Sequence, residues 1–327
     1  MNILITGSNG FVGSRLMYYL ESEGYQVHGI DKSPECIIKP HPQTVIGDIR
    51  NQEDYHVFDN LEFDLIIHAA AEKHDFGISS KKYFSNNEYG TKILMQFANS
   101  RNINKVIYYS TVSVYGHQDK PCDETSELRS NTVYGDSKLA GERVIEKWWA
   151  MDKTRSAIFL RPSVIYGPHN FANMYNLINQ LYKMPWVTIG DGENIKSMVS
   201  LENIIAQTEF VMNRIAHGIQ IYNCIDKPYL KVKEIIDIIC SHKHFYKPVF
   251  HIPSGLAVFI GRIFDFVGKI LHKDLPVNSD RMIKFVTSTD YRAEKIRSQG
   301  YIQKHTIREE LDRTIRWYLK EVRGKKI

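Results

Sequence analysis

Tyr134 and Lys138 stand four residues apart in VYGDSKLAGERVIEKWW, a stretch with the composition of a helix. On a helix they lie one above the other on a single face. A phenol in water has a pKa of about 10 and is a poor base at pH 7, but an ammonium beside it favours the phenolate. Upstream, VIYYSTVSVYG at 106–116 is apolar, β-branched and aromatic, and reads as a buried strand that delivers Ser110 and Thr111 to its carboxyl end. The Thr111 hydroxyl can hydrogen-bond the same substrate hydroxyl that Tyr134 addresses. Such a trio suits removal of a proton from a carbinol while its hydride leaves for an acceptor. A Tyr-x-x-x-Lys pair by itself also describes an ordinary solvated helix face, so its meaning depends on the elements around it.

Those elements begin at the amino end. NILIT reads as a first strand, runs directly into GSNGFVG with Gly7, Gly10 and Gly13, and is followed by the helix-like SRLMYYLESEG. Strand, glycine turn and helix together bring backbone N–H groups and the positive end of a helix dipole up to a pyrophosphate. The spacing is GxxGxxG rather than GxGxxG. A second strand, YQVHGID, ends at Asp31, where a carboxylate accepts from both ribose hydroxyls and repels a 2′-phosphate, favouring NAD over NADP. Lys32, next to it, pulls the other way. TVIGDI reads as a third strand ending at Asp48, placed for an adenine amino group, and FDLIIHAAA as a fourth, with small alanines where a cofactor would lie against the backbone. A helix starting near Asn86 and Asn87 leads back to the Ser110 strand. This alternation predicts an α/β fold with a doubly wound parallel sheet, of Rossmann type.

Beyond YGDSK, SAIFLRPSVIYGP reads as a strand ending in a loop, FANMYNLINQLYKM as a helix, and VTIGDGENIKSMVSLENI as a strand pair flanking a turn. The expected organisation is a dinucleotide-binding domain over 1–165 and a smaller cap over 166–327, interleaved with strands returning to the main sheet.

The chain has 327 residues, 43% hydrophobic and 24% charged, which is ordinary for a soluble globular protein with one large and one smaller domain. The four cysteines, Cys36, Cys122, Cys224 and Cys240, have no metal-ligand spacing and read as reduced thiols of a cytoplasmic protein. His242 and His244 lack partners for a metal site, so no metal is expected. No basic preamble marks a signal peptide, and no uncharged apolar run reaches the roughly 18 residues expected of a spanning helix. The net charge of +5 is spread out apart from the tail KEVRGKK, which argues against nucleic acid as a partner.

With GSNGFVG, Asp31, GDI at 47–49, HAAA at 68–71, Asn87 with Gly90 and Thr91, STVSVYG, YGDSK and RPSVIYGP in hand, the chain resembles an extended short-chain dehydrogenase/reductase of the NAD-dependent epimerase/dehydratase family over nearly its whole length. The resemblance implies that Thr111, Tyr134 and Lys138 are catalytic. It implies NAD held by Gly7, Gly10, Phe11, Val12, Gly13, Asp31, Asp48, Ile49, Ala69, Ala70, Ala71, Asn87, Ser110, Tyr134 and Lys138. Thr111, Tyr166, Asn170, Asn173 and Lys196 would meet the substrate, Lys196 at its diphosphate. Sugar 4,6-dehydratases of the family carry an Asp-Glu pair directly after the catalytic Thr. Val112 and Ser113 stand there, so dehydration is not expected, and no Cys/His pair of the 3,5-epimerase kind is found in the cap. What remains is C4 epimerisation or plain oxidation and reduction. The cap segments further resemble a bacterial surface-polysaccharide (O-antigen) subgroup that interconverts N-acetylglucosamine and N-acetylgalactosamine on UDP or undecaprenyl diphosphate.

The leading expectation is therefore an NAD-dependent 4-epimerase of a diphosphate-linked amino sugar, acting as a homodimer. A dehydrogenase or reductase of a sugar or sterol-type ketone is the rival reading. A non-catalytic dinucleotide sensor fits poorly with an intact Thr111, Tyr134 and Lys138. One stretch lies outside this account. In SGLAVFIGRIFDFVGKILHK, residues 254–273, Arg262, Asp265, Lys269, His272 and Lys273 form one narrow polar stripe on a helix, and the remaining arc is apolar. Either the helix is sandwiched in the cap or a dimer interface, or it lies in the inner face of the cytoplasmic membrane with its basic residues toward anionic head groups.

Overall fold

The structure, a computed structural model, describes residues 1–73, 79–118, 120–183, 187–248, 250–271, 279, 283 and 287–325. Its strands are β1 (Asn2–Thr6), β2 (Gln26–Asp31), β3 (Thr44–Ile46), β4 (Leu65–His68), β5 (Lys105–Tyr109), β6 (Ser156–Pro162), β7 (Val164–Tyr166), β8 (Val187–Ile189), β9 (Met198–Ser200), β10 (Gly218–Cys224) and β11 (Phe250–Ile252). Its principal helices are α1 (Phe11–Ser22), α2 (Ser80–Phe84), α3 (Gly90–Ser100), α4 (Val133–Met151), α5 (Asn173–Lys183), α6 (Leu201–Met212), α7 (Val232–Cys240) and α8 (Ser254–Leu271), with two further helices at Glu294–Ser298 and Ile307–Trp317.

The chain divides into two interleaved units. The first comprises residues 1–165, 199–225 and 291–304. Among its described residues β3, β2, β1, β4, β5, β6 and β10 form, in that order, a seven-stranded sheet in which every pairing is parallel. This is the doubly wound architecture. Its order reverses between β1 and β4, the switch point outside whose carboxyl ends ligands bind in such sheets. The strands are apolar on both faces, as strands covered by helices must be. Leu4, Ile30, Ile66, Val106 and Phe159 join Leu94 of α3 and Ile145 and Trp148 of α4 in one core cluster. Each such side chain contributes roughly 1.5–3 kcal/mol by leaving water.

Helix α4 carries the Tyr/Lys pair, and its start is fixed locally. Thr132 accepts the Gly135 N–H at 3.0 Å as N-cap, and Asp136 lies in the first turn against the dipole. Three boundaries differ from the sequence expectation. β3 ends at Ile46, so Asp48 lies in the turn beyond it. The helix expected from Asn86 begins at Ser80 and passes through a wider π-type turn at Ser85–Tyr89 into α3. The third concerns β8, which pairs in parallel with β11, Val187 opposite Phe250, and among the described residues forms no strand pair with β9.

The second unit comprises residues 166–198, 226–290 and 305–327. Val232, Ile235, Ile236 and Ile239 repeat at helical spacing and bury one face of α7. They pack with Ile178 and Leu181 of α5 and with Leu311 and Ile315 of the helix at Ile307–Trp317. A capping box starts that last helix: Thr306 accepts the Glu309 N–H at 3.2 Å while Glu309 accepts the Thr306 N–H at 2.7 Å. Helix α8 is different. Leu256, Phe259, Ile263 and Phe264 are 50%, 59%, 49% and 40% exposed, so much of its apolar arc faces away from the unit's core.

Candidate active site

The glycine loop is shaped by close backbone approach. Gly7 has φ +72°, and a Cβ there would lie 2.7 Å from the Ala70 backbone. A Cβ on Gly13 would come within 2.0 Å of the Gly7 carbonyl oxygen, so the loop closes only with hydrogen at both positions. Part of the room left by Ala69 and Ala70 is thus filled by Gly7 itself, while Ala71 is exposed. Gly10 caps α1 without a side-chain hydrogen bond, and no acid occupies the first turn. The N–H groups of Phe11, Val12 and Gly13 therefore have no intrahelical acceptor and lie at the positive end of the dipole. Phe11 contributes only backbone to this turn, because its ring is buried in the core.

Asp31 closes the end of β2. One carboxylate oxygen accepts the Asn9 N–H and the other the Ser33 N–H, each at 2.9 Å. Lone pairs remain on both oxygens for ribose hydroxyls. Lys32 is turned elsewhere: its ammonium lies 3.2 Å from Asn86 Oδ1 and 3.6 Å from the Glu72 carboxylate. Asp48 is not placed as expected. Its oxygens take the Arg50 Nε at 2.9 and 3.1 Å, and that guanidinium holds its carboxyl below the usual range. Arg50 thus takes most of its acceptor capacity, its backbone N–H donating to the same carboxylate at 2.9 Å. The Ile49 side chain belongs to the core cluster.

Asn87 requires a second correction. Its Nδ2 donates to the Glu72 carbonyl at 3.0 Å and to Ser137 Oγ at 2.8 Å, and its Oδ1 accepts the Glu72 N–H at 2.7 Å. With no exposure and both amide hydrogens committed, this side chain ties the segment after β4 to α4 and is not placed to hold a cofactor. The network continues below it. Thr91 Oγ1 donates to the Asn87 carbonyl at 2.6 Å and meets His68 Nε2 at 2.9 Å, while His68 Nδ1 meets Thr6 Oγ1 at 2.6 Å. Burial, with the Lys138 charge adding to it, holds His68 well below the ordinary histidine range, so the imidazole is neutral.

Thr111 follows β5 and caps the short turn Val112–Tyr115. Its Oγ1 accepts the Ser113 N–H at 3.1 Å and lies 3.2 Å from Ser113 Oγ. Tyr134 is half-buried in the first turn of α4, its ring centroid 6.3 Å from that of Tyr83. Lys138, one turn on, is 1% exposed, and its ammonium sits 4.0 Å from the Tyr108 ring centroid. Burial pushes its pKa down to about 7, against the opposing pull of the Glu142 carboxylate.

Among the described buried polar atoms of this unit without a hydrogen-bond partner are Ser8 Oγ, Asn9 Oδ1, Ser110 Oγ and Lys138 Nζ. Buried polar groups are nearly always satisfied, and these lie in the glycine loop, just after β5 and on α4, where a dinucleotide would supply partners. The residues present fit such a group.

The comparisons agree. A model of the NAD dependent epimerase/dehydratase family matches residues 3–224. The chain belongs to that family. A family relative, N-acetyl-alpha-D-glucosaminyl-diphospho-ditrans,octacis-undecaprenol 4-epimerase of Escherichia coli O157:H7, is 31% identical over 320 residues, 97% of this chain and 95% of its own. The fold recurs in the UDP-glucose 4-epimerase of Thermotoga maritima, at a TM-score of 0.78 and 19% identity, covering 98% of this chain and all (100%) of that one. It recurs also in the UDP-glucuronic acid 4-epimerase of Bacillus cereus in complex with NAD, at 0.74 and 22%, covering 98% and 99%.

In the second unit the expected substrate residues fare unevenly. Tyr166 is 1% exposed within the core cluster, and burial raises its phenol well above the ordinary range, so it is a packing residue there. Asn170 is half-buried in the loop before α5, its N–H donating to the Gly167 carbonyl at 3.3 Å, and Asn173 is exposed at the first position of α5. The Lys196 ammonium donates to the Thr287 carbonyl at 2.6 Å, and burial lowers its pKa to about 8.

Sequence reasoning missed a second buried assembly. Arg161 of β6 donates to both oxygens of Glu142 on α4 and, at 3.0 Å, to Tyr115 Oη. Tyr115 donates to Asn223 Oδ1 at 2.8 Å. An arginine inside an otherwise apolar strand sequence, FLRPSV, was the available signal, since a buried guanidinium requires a carboxylate partner.

Proposed function

We propose that this chain is an NAD-dependent 4-epimerase that interconverts N-acetylglucosamine and N-acetylgalactosamine on a diphosphate carrier, undecaprenyl diphosphate before UDP, in surface-polysaccharide synthesis. The observation that carries this reading is the Tyr134–Lys138 pair on α4 together with a neutral Val112–Ser113 sequence after Thr111. Full-length similarity to an enzyme of an undecaprenol-linked sugar supports the carrier. NAD, when bound by Gly7–Gly13, Asp31, Ser110 and Lys138, supplies the hydride acceptor and donor. Tyr134 removes the proton of the sugar C4 hydroxyl and later returns it, Thr111 orients that hydroxyl, and Lys138 stabilises the phenolate. With no acid at 112 or 113, nothing there assists loss of water from the keto sugar. The domain reading, a cofactor domain through residue 165 and a cap drawn mainly from 166–327, goes with this chemistry.

The proposal extends to a homodimer, supported by exposed apolar residues Tyr89, Val133 and Met151, and tested by light scattering. It also extends to contact with the inner face of the cytoplasmic membrane through 254–273. No helix among the described residues is long and apolar enough to cross a membrane. A surface contact is supported by the exposed Leu256, Phe259, Ile263 and Phe264 with exposed Arg262 between them. The side chains of Phe266, Val267, Lys269, Ile270 and Leu271, and all of His272 and Lys273, lie outside the described residues.

The test is to denature the purified protein, identify the nucleotide released, and assay native protein on UDP-linked and polyprenyl-diphosphate-linked N-acetylhexosamines. Release of NAD with interconversion of the lipid-linked sugars supports the reading. Release of NADP with one-way reduction of a ketone overturns it in favour of a reductase.

A further inference from the structure

The Lys138 ammonium is enclosed, 1% exposed, and has no hydrogen-bond partner among the described residues. Its nearest compensation is aromatic: the Nζ lies 4.0 Å from the centroid of Tyr108, within the range of an electrostatic cation–π attraction that strengthens as water is removed. The ring is held in place from several sides. His68 lies tilted against it at 5.2 Å and Phe159 meets it edge-on at 6.1 Å, while its hydroxyl lies 3.4 Å from the Lys138 carbonyl oxygen. The ring reaches beneath α4 only because residue 141 is glycine, where a Cβ would stand 2.2 Å from the Tyr108 oxygen and 2.8 Å from the Asn87 carbonyl. Burial keeps Tyr108 a neutral phenol, so it offers Lys138 a quadrupole and no counter-charge.

We infer that Tyr108 is a positioning residue for proton transfer: the face of its ring holds the Lys138 ammonium in a buried site where no described group of the protein hydrogen-bonds it. The inference rests on the Tyr134–Lys138 pair being the proton-transfer pair. Among the described groups, His68 from β4, Tyr108 from β5 and Glu142 from α4 act on or touch Lys138, and Tyr134 lies one turn before it on α4. Since His68 is neutral, Glu142 supplies the charge that favours the ammonium and Tyr108 the contact.

The experiment follows the Lys138 Cε resonance against pH in isotope-labelled protein, independently of turnover, in Tyr108→Phe, in Tyr108→Leu, and in protein carrying increasingly fluorinated phenylalanines at 108. Tyr108→Phe keeps the ring and is expected to titrate as wild type. Tyr108→Leu is expected to lose its proton at a pH lower by about one unit, a tenfold fall in proton affinity. Each added fluorine drains the ring face and should move the midpoint the same way. Turnover is expected to follow, with kcat falling more than KM rises. A fluorinated series that titrates as Tyr108→Phe overturns the inference, and so does a Tyr108→Leu protein that folds and titrates unchanged. The fluorinated rings are near-isosteric, so the test survives if Tyr108→Leu does not fold. If instead Lys138 shifts as expected while Tyr134→Phe remains active, the proton-transfer assignment fails and the ring contact stands.

Discussion

Glu142 and Arg161 form a bidentate ion pair, 2.9 Å at Nε and 2.6 Å at Nη2, in which the side chains are 1% and 2% exposed. Glu142 lies one turn beyond Lys138 on α4. A single carboxylate therefore neutralises the arginine of β6 and favours the ammonium of Lys138. Through Tyr115, the same arginine is bonded to the turn that follows Thr111.

Breaking that pair should be expensive. Arg161→Met leaves a carboxylate buried without its partner, a loss of about 3–5 kcal/mol. Urea unfolding measures it. A loss below ~1 kcal/mol would show that water or another group reaches Glu142.

Tyr134→Phe should abolish turnover and leave cofactor binding intact, because the ring remains while the ionisable oxygen is lost. Lys138→Met should lower both turnover and cofactor affinity, yet raise the stability of the cofactor-free protein near pH 7. The unfolded chain holds the lysine proton up to its ordinary value of 10.5, the folded chain only to about 7. Between these values the unfolded state binds more protons, so this lysine's penalty is full below pH 7 and fades as the pH climbs toward 10.5. Thermal melts across that window should show the stability gain of Lys138→Met shrinking with rising pH.

Asp31→Ala should weaken NAD binding about tenfold or more, because the carboxylate for the ribose is removed and the Asn9 and Ser33 N–H groups lose their acceptor. Binding of NADP should fall less, since the charge that repels its phosphate goes too. Titration of both cofactors by fluorescence decides this. An equal loss for the two would remove Asp31 from cofactor selection.

Vesicle co-sedimentation tests the face of α8. Wild-type protein should pellet with anionic vesicles, less so at high salt, and Phe259→Asp or Phe264→Asp should reduce the pelleted fraction several-fold. Protein that stays in the supernatant while epimerising UDP-N-acetylglucosamine efficiently would make this face an interface between copies or part of a core.

Much of the molecule was legible before folding because its signals are local. The glycine spacing after β1, the four-residue step from Tyr134 to Lys138, and the alternation of apolar strands with amphipathic helices each depend on neighbours within a turn or two. They sufficed for the doubly wound sheet and for the family. What they could not reveal is how polar side chains distant in sequence satisfy one another. Asp48 carries no local sign that Arg50 folds onto it, nor Asn87 that Glu72 and Ser137 bond its amide. Tyr166 looked like a substrate contact until it appeared in a core beside Leu311. The exposure of Phe259 and the burial of Arg161 were likewise decided by tertiary packing. Residue type and spacing determine what a side chain can do. Which of its partners are already taken depends on the desolvation of every other polar group, and only the folded chain settles that.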